Sequence, residues 1–541
     1  MKFSDFKRAL NNSSSEALLL AILVLLGMSL RWIAWLRSGI MFNDGPEFIR
    51  LAQAAAEYDW VGLFSHDYHP LYSVLIAFAH SLLDSSVSWA NTAVTISVLS
   101  SGICIIALYA FLRFEFGITA ALFGVLLFVT QQRSIDYFSD VMSEGIYATF
   151  FVGALFCLSR SLSTSKKRWF FGVGIISGLA YLVRPEGLGP VAILGTLITW
   201  EFIRRRVTGR VFFPRVGILV GSALLVASPY VFSVWKVTGE IVLTQKKPVL
   251  EIIGVNPLLR SLDLPAKEPR RKGVGSFGAD ISFLPLDESE AFVGVDLKNI
   301  ASTDLKSKTV LSRIFDSFGE LFDALISTAK LEWCLPIFLG LWFSRGSPGR
   351  RGGWIGFTTS AYFLLLIGLA LHTEYLSKRH VFPIILPFLG YAGVGLAESI
   401  RLLKGRLGLS LNACRMAVLI PLLLVSLSSQ FEPRRNDRMA IRNAAEWFSQ
   451  SYPSKIPIAA EKQRVAFYAN TYFVAVGCAK CPIGPNRDEA ALTRARTSGA
   501  KFLISDKEEW NLLAKSLRIP VLYEVEKNKK IARVYDLRGL P

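Results

Sequence analysis

Apolar blocks long enough to cross a lipid bilayer recur along most of this chain. The sequence has 541 residues, and 52% of them are hydrophobic. The hydrophobic residues gather in blocks of about 16–24, the length that a helix needs to cross a ~30 Å hydrocarbon core. The pattern therefore predicts a polytopic α-helical membrane protein.

About eleven transmembrane helices are predicted from these blocks. They lie near residues 17–36, 88–112, 115–131, 139–162, 170–184, 187–203, 216–236, 324–343, 354–372, 380–399 and 416–431. Beyond residue 431 the composition becomes polar, and stretches with helical or strand-like spacing alternate along the tail. The sequence therefore predicts a transmembrane domain over 1–431 and a small soluble α/β domain over 432–541.

Basic residues indicate how the spans are oriented. The formal net charge is +18, and Lys and Arg cluster in short loops such as Lys166-Lys167-Arg168 and Arg204-Arg205-Arg206. The positive-inside rule assigns such loops to the cytoplasm, which explains the charge without nucleic-acid binding. We therefore expect a plasma (inner) membrane protein with a cytoplasmic N-terminus and an extracytoplasmic C-terminal domain.

Two longer polar segments are expected outside the membrane. The first outer loop covers 38–87 and the second covers 238–322. Within the first, the apolar stretch 71–83 is too short to span a bilayer and favours a re-entrant or interfacial helix. The second is long enough to predict a functional or folded cap over the outer surface.

The cysteines do not form a metal-binding set. Cys104, Cys157, Cys334 and Cys414 lie in or beside predicted spans, where cysteine packs as a small hydrophobic residue. Cys478 and Cys481 form a single CxxC pair in the tail, and a structural zinc site needs four ligands. A local disulfide is the favoured interpretation in an extracytoplasmic domain, and it stays open.

The first outer loop carries the candidate catalytic carboxylates. Its first turn reads Asn43-Asp44-Gly45-Pro46-Glu47, directly after the first span. Ionisable groups at a membrane span are functional candidates by default. Asp44 could act as a general base at a reacting sugar, or it could be a turn residue and helix N-cap. The residue pattern alone leaves both roles open, and Glu47 is the second candidate.

A pair of histidines follows in the same loop. His66 and His69 flank Asp67 and Tyr68. His-x-x-His can ligate a metal ion, but two histidines in a loop also suit polar contact with an anionic substrate. We favour substrate contact and leave a metal role open.

Charged residues at the ends of later spans form a third group. Asp136, Asp140 and Glu144 are spaced by four residues, which predicts one face of a helix. Arg184 and Glu186 lie between two spans with almost no loop, and a buried arginine needs a carboxylate or a phosphate partner. The alternatives are a solvated span end and a local Arg184–Glu186 pair.

A basic motif precedes a late span. Lys378, Arg379 and His380 are consecutive, and the next span begins with them. Their charge would suit the phosphate of a lipid. A surface basic patch is the alternative.

These motifs follow one another in a recognisable order. After the acidic first loop come His69-Pro70-Leu71-Tyr72, Asp140–Glu144, Leu182-Val183-Arg184-Pro185-Glu186-Gly187, and Lys378-Arg379-His380 before Pro383 and Pro387. Over roughly residues 15–430 this order resembles the C-type membrane glycosyltransferases, in particular the protein O-mannosyltransferases and the lipid A aminoarabinose transferase. A soluble tail after the last span also occurs among bacterial members.

The resemblance implies a sugar transfer from a polyprenyl-phosphate donor to a protein, lipid or glycan acceptor at the outer membrane face. It places Asp44 at the reaction centre and Arg379 at the donor phosphate. Many relatives have a second acid directly after the first, where this chain has Gly45, and many have tyrosine where it has His380. Metal use varies in the superfamily and stays open, and the tail has no nucleotide-binding motif.

Two other classes of function remain. A lipid or anion transporter or flippase also needs charged groups in the membrane. It would more often show inverted repeats and helices broken at the middle of the bilayer, whereas here the charges lie at span ends and no clear repeat is seen. A non-catalytic scaffold that displays the tail is the third class.

Overall fold

The computed structural model describes residues 3–84, 86–239, 241–245, 310–346, 350–373, 376–428, 430, 434–452, 456–476, 491–493 and 495–539. The chain forms two compact units. The first comprises Met1–Trp35, Leu63–Ala266 and Thr309–Glu432, and the second comprises Leu36–Gly62, Lys267–Lys308 and Pro433–Pro541. One boundary between the two units falls after Gly62, within the predicted first outer loop 38–87.

The first unit is built from helices. In chain order they are α1 (Phe3–Leu36, which ends at the unit boundary), α4 (Leu71–Ser81), α5 (Trp89–Phe116), α6 (Ile118–Thr130), α7 (Gln132–Phe138), α8 (Glu144–Thr164), α9 (Lys167–Tyr181), α10 (Gly189–Ile203), α11 (Gly209–Thr238), α12 (Val310–Phe343), α13 (Arg350–Thr373), α14 (Lys378–Ile385), α15 (Leu389–Leu407) and α16 (Leu411–Ser428). The chain joining α1 to α4 contains α2 (Gly45–Ala56) and α3 (Trp60–Phe64).

The polytopic helical class predicted from the sequence is confirmed. Within the described ranges, nine helices are long and apolar enough to cross a membrane, or ten if the bent pair α6–α7 counts as one span. The sequence predicts eleven. One difference is the predicted span 170–184, which corresponds to α9, a helix of only 15 residues with Lys167 and Arg168 in its first turn.

A sharp bend follows the sixth helix. The helices α6 and α7 meet at 66° around Gln131, whose side chain accepts a hydrogen bond from the Ser134 amide at 2.9 Å. Helix α7 ends at Phe138 and α8 begins at Glu144. The prediction that Asp136, Asp140 and Glu144 share one helix face is therefore wrong, because non-helical backbone separates them.

Arg31 ties the first helix to this bend. The Arg31 side chain is 0% exposed and donates to Ser134 Oγ at 2.7 Å and to the Gly27 carbonyl at 2.9 Å. Its guanidinium carbon also lies 5.2 Å from the centre of the Phe128 ring. A buried guanidinium is tolerated when hydrogen bonds and aromatic faces replace water, so Arg31 links α1 to α6 and α7.

The predicted outer segments differ in outcome. The apolar stretch 71–83 forms the short helix α4 (Leu71–Ser81), and the Leu71 amide donates to the Leu182 carbonyl at 2.9 Å. Most of the predicted loop 238–322 lies outside the described residues, although its last part already belongs to α12. The CxxC pair Cys478–Cys481 also lies outside them.

The second unit contains a five-stranded mixed sheet. Its strands are β1 (Ile458–Ala460), β2 (Phe473–Ala475), β3 (Phe502–Ser505), β4 (Val521–Lys527) and β5 (Lys530–Asp536), in the order β2-β1-β3-β5-β4. The first three strands are parallel, and β5 pairs antiparallel with both β3 and β4. The helices are α17 (Met439–Ser451), α18 (Gln463–Tyr468) and α19 (Glu508–Ser516).

Two apolar cores support this sheet. One contains Phe448, Ile458, Phe502 and Val534, and it also includes Ile40 from the segment after α1. The other surrounds Trp510 and Tyr535. The α/β tail predicted from the sequence is present, and the segment Leu36–Gly62 is part of the same compact unit.

Candidate active site

One carboxylate in the first unit joins two arginines from distant parts of the chain. Glu144 begins α8, and its Oε1 accepts hydrogen bonds from Arg184 Nη1 at 2.8 Å and from Arg379 Nη1 at 3.2 Å. Glu144 is 4% exposed and Arg184 is 8% exposed. Charge-assisted bonds of this kind compensate for the removal of the charges from water. We call Glu144, Arg184, Glu186 and Arg379 the Arg–Glu cluster.

A tight turn holds Arg184 in place. The Arg184 amide donates to the Ala180 carbonyl at 2.9 Å, and the Gly187 amide donates to the Arg184 carbonyl at 2.9 Å. A Cβ on Gly187 would lie 2.1 Å from the Tyr181 backbone nitrogen, so only glycine fits this turn. Glu186, inside the turn, lies 3.5 Å from Arg184. The local pair considered from the sequence exists, but the bond to Glu144 is the shorter one.

A helix cap presents Arg379. Ser377 caps α14 in a capping box, in which the Ser377 hydroxyl accepts from the Arg379 amide at 3.4 Å. His380 Nδ1 accepts from the Ser377 amide at 3.3 Å. His380 therefore fixes the start of the helix, while the Arg379 side chain, 25% exposed, reaches Glu144.

A strained lysine that was not among the candidates predicted from the sequence lies beside this helix start. Lys330 interrupts α12 with φ 50° and ψ −175°, and its Nζ donates to the Gln132 side chain. Two residues earlier, Thr328 donates to the Lys378 carbonyl at 3.4 Å. The predicted span 324–343 contains Lys330 and Glu332. Charged residues inside a span mark candidate functional positions, so the sequence did contain a signal for Lys330. The Thr328 bond therefore brings the backbone near Lys330 close to the start of α14 at Lys378.

Asp140 is buried in the break between α7 and α8. It is 2% exposed, its Oδ1 accepts from the Val141 amide at 2.8 Å, and its carbonyl accepts from Ser97 Oγ at 3.1 Å. The Tyr72 hydroxyl contacts the same Ser97 at 3.0 Å. These bonds shape the backbone that leads into Glu144. Asp136 lies outside this arrangement, 3.6 Å from Arg133.

The two histidines of the first loop have different surroundings. His69 is 1% exposed, contacts Thr244 Oγ1 through Nε2 at 3.1 Å, and packs against Tyr181 and Tyr230 with ring centres 5.0 and 4.8 Å away. His66 stacks on Tyr68 at 5.0 Å. In the described part of the chain, no three His, Cys, Asp or Glu side chains are grouped so that they could hold a metal ion.

An apolar cavity lies near the aromatic neighbours of His69. It has a volume of about 460 Å³ between α10 and α11, and its lining includes Leu188, Leu224, Val231 and Trp235. Val231 directly follows Tyr230, which packs on His69. A lining of this kind accepts hydrocarbon and excludes charged groups.

The second unit carries the two candidate catalytic carboxylates. Asp44 occupies the N-cap position of α2 with φ −80° and ψ −13°, and its side chain makes no cap hydrogen bond. The N-cap role considered from the sequence thus concerns the backbone position alone. Glu47 is 3% exposed and accepts from Arg50 Nε at 3.0 Å, so its carboxylate has a local ion-pair partner.

Part of the chain matches a known protein family. Residues 67–235 match the family model described as dolichyl-phosphate-mannose-protein mannosyltransferase. This segment contains Glu144 and Arg184, whereas Asp44 and Arg379 lie outside it. A comparison with curated protein sequences gives no match.

Solved structures share the fold of nearly the whole chain. ArnT from Cupriavidus metallidurans in the apo state is 14% identical over 98% of this chain and 99% of its own, with a TM-score of 0.58. ArnT bound to undecaprenyl phosphate is 13% identical over 95% and 97%, with a TM-score of 0.57.

The archaeal oligosaccharyltransferase AglB from Archaeoglobus fulgidus, in complex with an inhibitory peptide and a dolichol-phosphate, is 14% identical over 98% of this chain and 75% of its own. Its TM-score is 0.51. At these identities the likeness concerns the fold. The predicted C-type membrane glycosyltransferase fold is confirmed by the likeness to ArnT and AglB, and residues 67–235 of the chain match the mannosyltransferase family model.

Proposed function

We propose that this protein transfers a sugar from a polyprenyl-phosphate donor to a protein, lipid or glycan acceptor at the outer face of the membrane. The observation that carries the proposal is the Arg–Glu cluster, in which Glu144 bonds to both Arg184 and Arg379. The family match favours this function over the alternative of a lipid or anion transporter.

The cluster suits a phosphate leaving group. Glu144 and Arg184 are almost fully buried and orient Arg379, whose side chain is 25% exposed. Arginine binds phosphate through planar, charge-assisted hydrogen bonds, and these strengthen as negative charge develops on the leaving group. We assign donor-phosphate binding to Arg379 and Lys378, with Arg184, Glu186 and Glu144 as positioning residues. The undecaprenyl phosphate in the ArnT structure supports a ligand of this class.

The remaining polar candidates have supporting roles in this proposal. His380 caps the helix that carries Arg379, and Asp140 shapes the backbone before Glu144. His69 packs on Tyr230, the residue before Val231 in the lining of the apolar cavity, and we assign part of the polyprenyl chain to that cavity. His66, stacked on Tyr68, stays a candidate for contact with the donor.

Asp44 is the proposed general base. The acceptor oxygen attacks the sugar C1, the bond from C1 to the phosphate oxygen breaks, and its electron pair remains on the phosphate. The acceptor proton passes to the Asp44 carboxylate. Direct displacement inverts the anomeric centre. The position of Asp44, which matches that of the family's catalytic Asp in the first outer loop, supports this role, and Glu47, paired with Arg50, is the second candidate.

The proposed location follows from the distribution of charge. The basic short loops support a cytoplasmic N-terminus in the plasma (inner) membrane and a second unit on the outer side. The many apolar helices of the described ranges support an integral membrane protein. Labelling of single introduced cysteines by a membrane-impermeant reagent in intact cells would test the orientation, since only outer positions should react.

Mass spectrometry of the cell envelope tests the function. Glycoproteins, lipids and glycans from cells with and without this protein should differ by one sugar residue on one acceptor class. The purified protein should then transfer that sugar from its polyprenyl-phosphate form. An unchanged envelope, together with transport of a labelled lipid or anion by the reconstituted protein, would contradict the proposal.

A further inference from the structure

The segment that leads to Asp44 is built into the second unit. Directly after α1, Ser38 forms an isolated β-bridge with Arg434, and the Gly39 amide donates to the Arg434 carbonyl at 3.2 Å. Ile40 and Met41 are each 1% exposed, and Ile40 belongs to the apolar core beneath the sheet. The tail therefore holds this segment as part of its own core.

Three arginines of the tail bind three consecutive carbonyl groups of this segment. Arg442 Nη1 donates to the Gly39 carbonyl at 2.6 Å. Arg435 Nη1 donates to the Ile40 carbonyl at 2.7 Å, and Arg464 Nη1 donates to the Met41 carbonyl at 3.4 Å. We call Arg435, Arg442 and Arg464 the arginine clamp.

Further contacts fix the same three residues. The Met41 amide donates to the Tyr468 hydroxyl at 3.0 Å, and the Arg442 guanidinium lies over the Tyr468 ring at 4.9 Å. A Cβ on Gly39 would lie 2.3 Å from Met439 Sδ, so the Met439 side chain packs directly on this glycine and would have to shift to admit a larger residue. The position of the segment along the tail is thus set by backbone and side chains together.

The clamp brings several positive charges close together. Arg464 is 5% exposed. Its burial, followed by the charges of Arg438 and Arg435, lowers its pKa to about 10. Charged donors hold the backbone more tightly, because such hydrogen bonds are shorter and stronger.

We infer that the tail, the part of the second unit from Pro433 onward, positions Asp44 through the bonds of the arginine clamp to residues 39–41. This inference rests on the proposed function, in which Asp44 is the general base. Asp44 follows Met41 by three residues and occupies the N-cap position of α2, which itself packs on α18 of the tail. The clamp thus fixes the backbone immediately before the catalytic carboxylate.

The test uses the full-length protein in detergent or nanodiscs. Arg442→Met and Arg464→Met each remove one bond to the segment. The matched controls are Arg533→Met, which removes ion pairs to Glu524 and Glu508 elsewhere in the tail, and Glu446→Gln, which removes the ion-pair partner of Arg442 but leaves its carbonyl bond.

Two quantities separate positioning from general stability. Misplacement of a reacting group by about 1 Å lowers the rate about a hundredfold. We therefore expect kcat to fall about ten- to a hundredfold in the clamp variants. The donor KM should change less than about threefold. Amide hydrogen exchange over residues 37–50 should become faster. Arg442→Lys should recover part of the rate, because an ammonium group can still donate to one carbonyl.

The failure of this inference differs from the failure of the proposed function. If turnover and amide hydrogen exchange in both clamp variants equal those of the control Arg533→Met, the clamp does not position Asp44. If Asp44→Asn keeps full turnover, the assignment of the base is wrong, whereas hydrogen exchange still shows whether the clamp holds the segment. If either methionine variant fails to fold, the corresponding lysine variant and hydrogen exchange decide the question.

Discussion

Arg184 and Arg379 donate to the same carboxylate oxygen of Glu144, although they belong to a tight turn and a helix start far apart in the sequence. The shared acceptor explains why buried positive charge is tolerated at the ends of membrane helices. It also makes the three residues interdependent, so that a change in one is expected to alter the others.

Glu144→Gln should destabilise the protein and reduce its activity. The substitution leaves two guanidinium groups beside a neutral amide, and loss of one partner from a buried ion pair typically costs about 3–5 kcal/mol. Thermal unfolding in detergent and sugar-transfer turnover would measure the two effects. The matched control is Glu398→Gln, which removes the exposed ion pair with Arg401 and should change the stability by at most about 1 kcal/mol. Equal midpoints for the two variants would contradict the role of Glu144.

Arg379→Met should weaken donor binding more than it lowers stability. A charge-assisted bond to phosphate is worth about 1.5–3 kcal/mol, so KM for the lipid-phosphate sugar should rise at least about tenfold. Arg401→Met, at an exposed cytoplasmic position in the proposed topology, is the control. Inhibition by polyprenyl phosphate should weaken in parallel. An unchanged inhibition constant would show that Arg379 does not contact the phosphate.

Lys330→Gly should stabilise the protein. Lys330 has φ 50° and ψ −175°, a backbone region in which a side chain costs about 1–3 kcal/mol and which glycine tolerates. Lys404→Gly, on the exposed face of α15, should instead destabilise by about 1 kcal/mol, because glycine weakens a helix interior. Unfolding midpoints for both variants would test this contrast. A lower midpoint for Lys330→Gly would mean that the strain is absent in solution.

The stability of the tail should depend on the ionisation of Glu461. Burial raises the pKa of this carboxyl group above its usual value of 4.5, although its hydrogen bond from Trp510 opposes the shift. A raised pKa means that the contribution of Glu461 to stability is full below pH 4.5 and is lost as the pH rises through the folded-state pKa.

Glu461→Gln should therefore stabilise the protein near pH 7.5 and have little effect near pH 4. Glutamine keeps an oxygen that can accept the Trp510 bond but carries no charge. The measurement is the difference in unfolding midpoint between variant and wild type across this pH range, with Glu526→Gln on the exposed strand β4 as the control. A difference that stays constant with pH would contradict the assignment to Glu461.

Composition predicted the class of this fold, because the length of an apolar block is a local property that the bilayer imposes directly. The same reasoning failed around α7, where a spacing of four residues suggested one continuous helix from Asp136 to Glu144. The backbone instead leaves the helix after Phe138, and tertiary packing against neighbouring helices determines that break. A spacing of four residues places side chains on one helix face only where the helix is unbroken.

The Arg–Glu cluster was only partly predictable. Arg184 was expected to need a carboxylate or phosphate, but its near neighbour Glu186 was the obvious partner, and the shorter bond goes to Glu144. A single sequence carries no signal for a contact between two such distant residues. The arginine clamp could not be predicted for the same reason. Nothing in the local sequence of the polar tail indicates that its arginines bind the backbone of residues 39–41.

The most direct test of this account is the transfer of sugar by Asp44→Asn. The purified variant would be supplied with the polyprenyl-phosphate sugar and the acceptor identified from the envelope, and its turnover compared with that of wild type. Loss of a general base should lower kcat by at least about a hundredfold while the affinity for polyprenyl phosphate and the unfolding midpoint stay unchanged. Turnover equal to that of wild type would contradict the proposed role of Asp44 and the mechanism built on it.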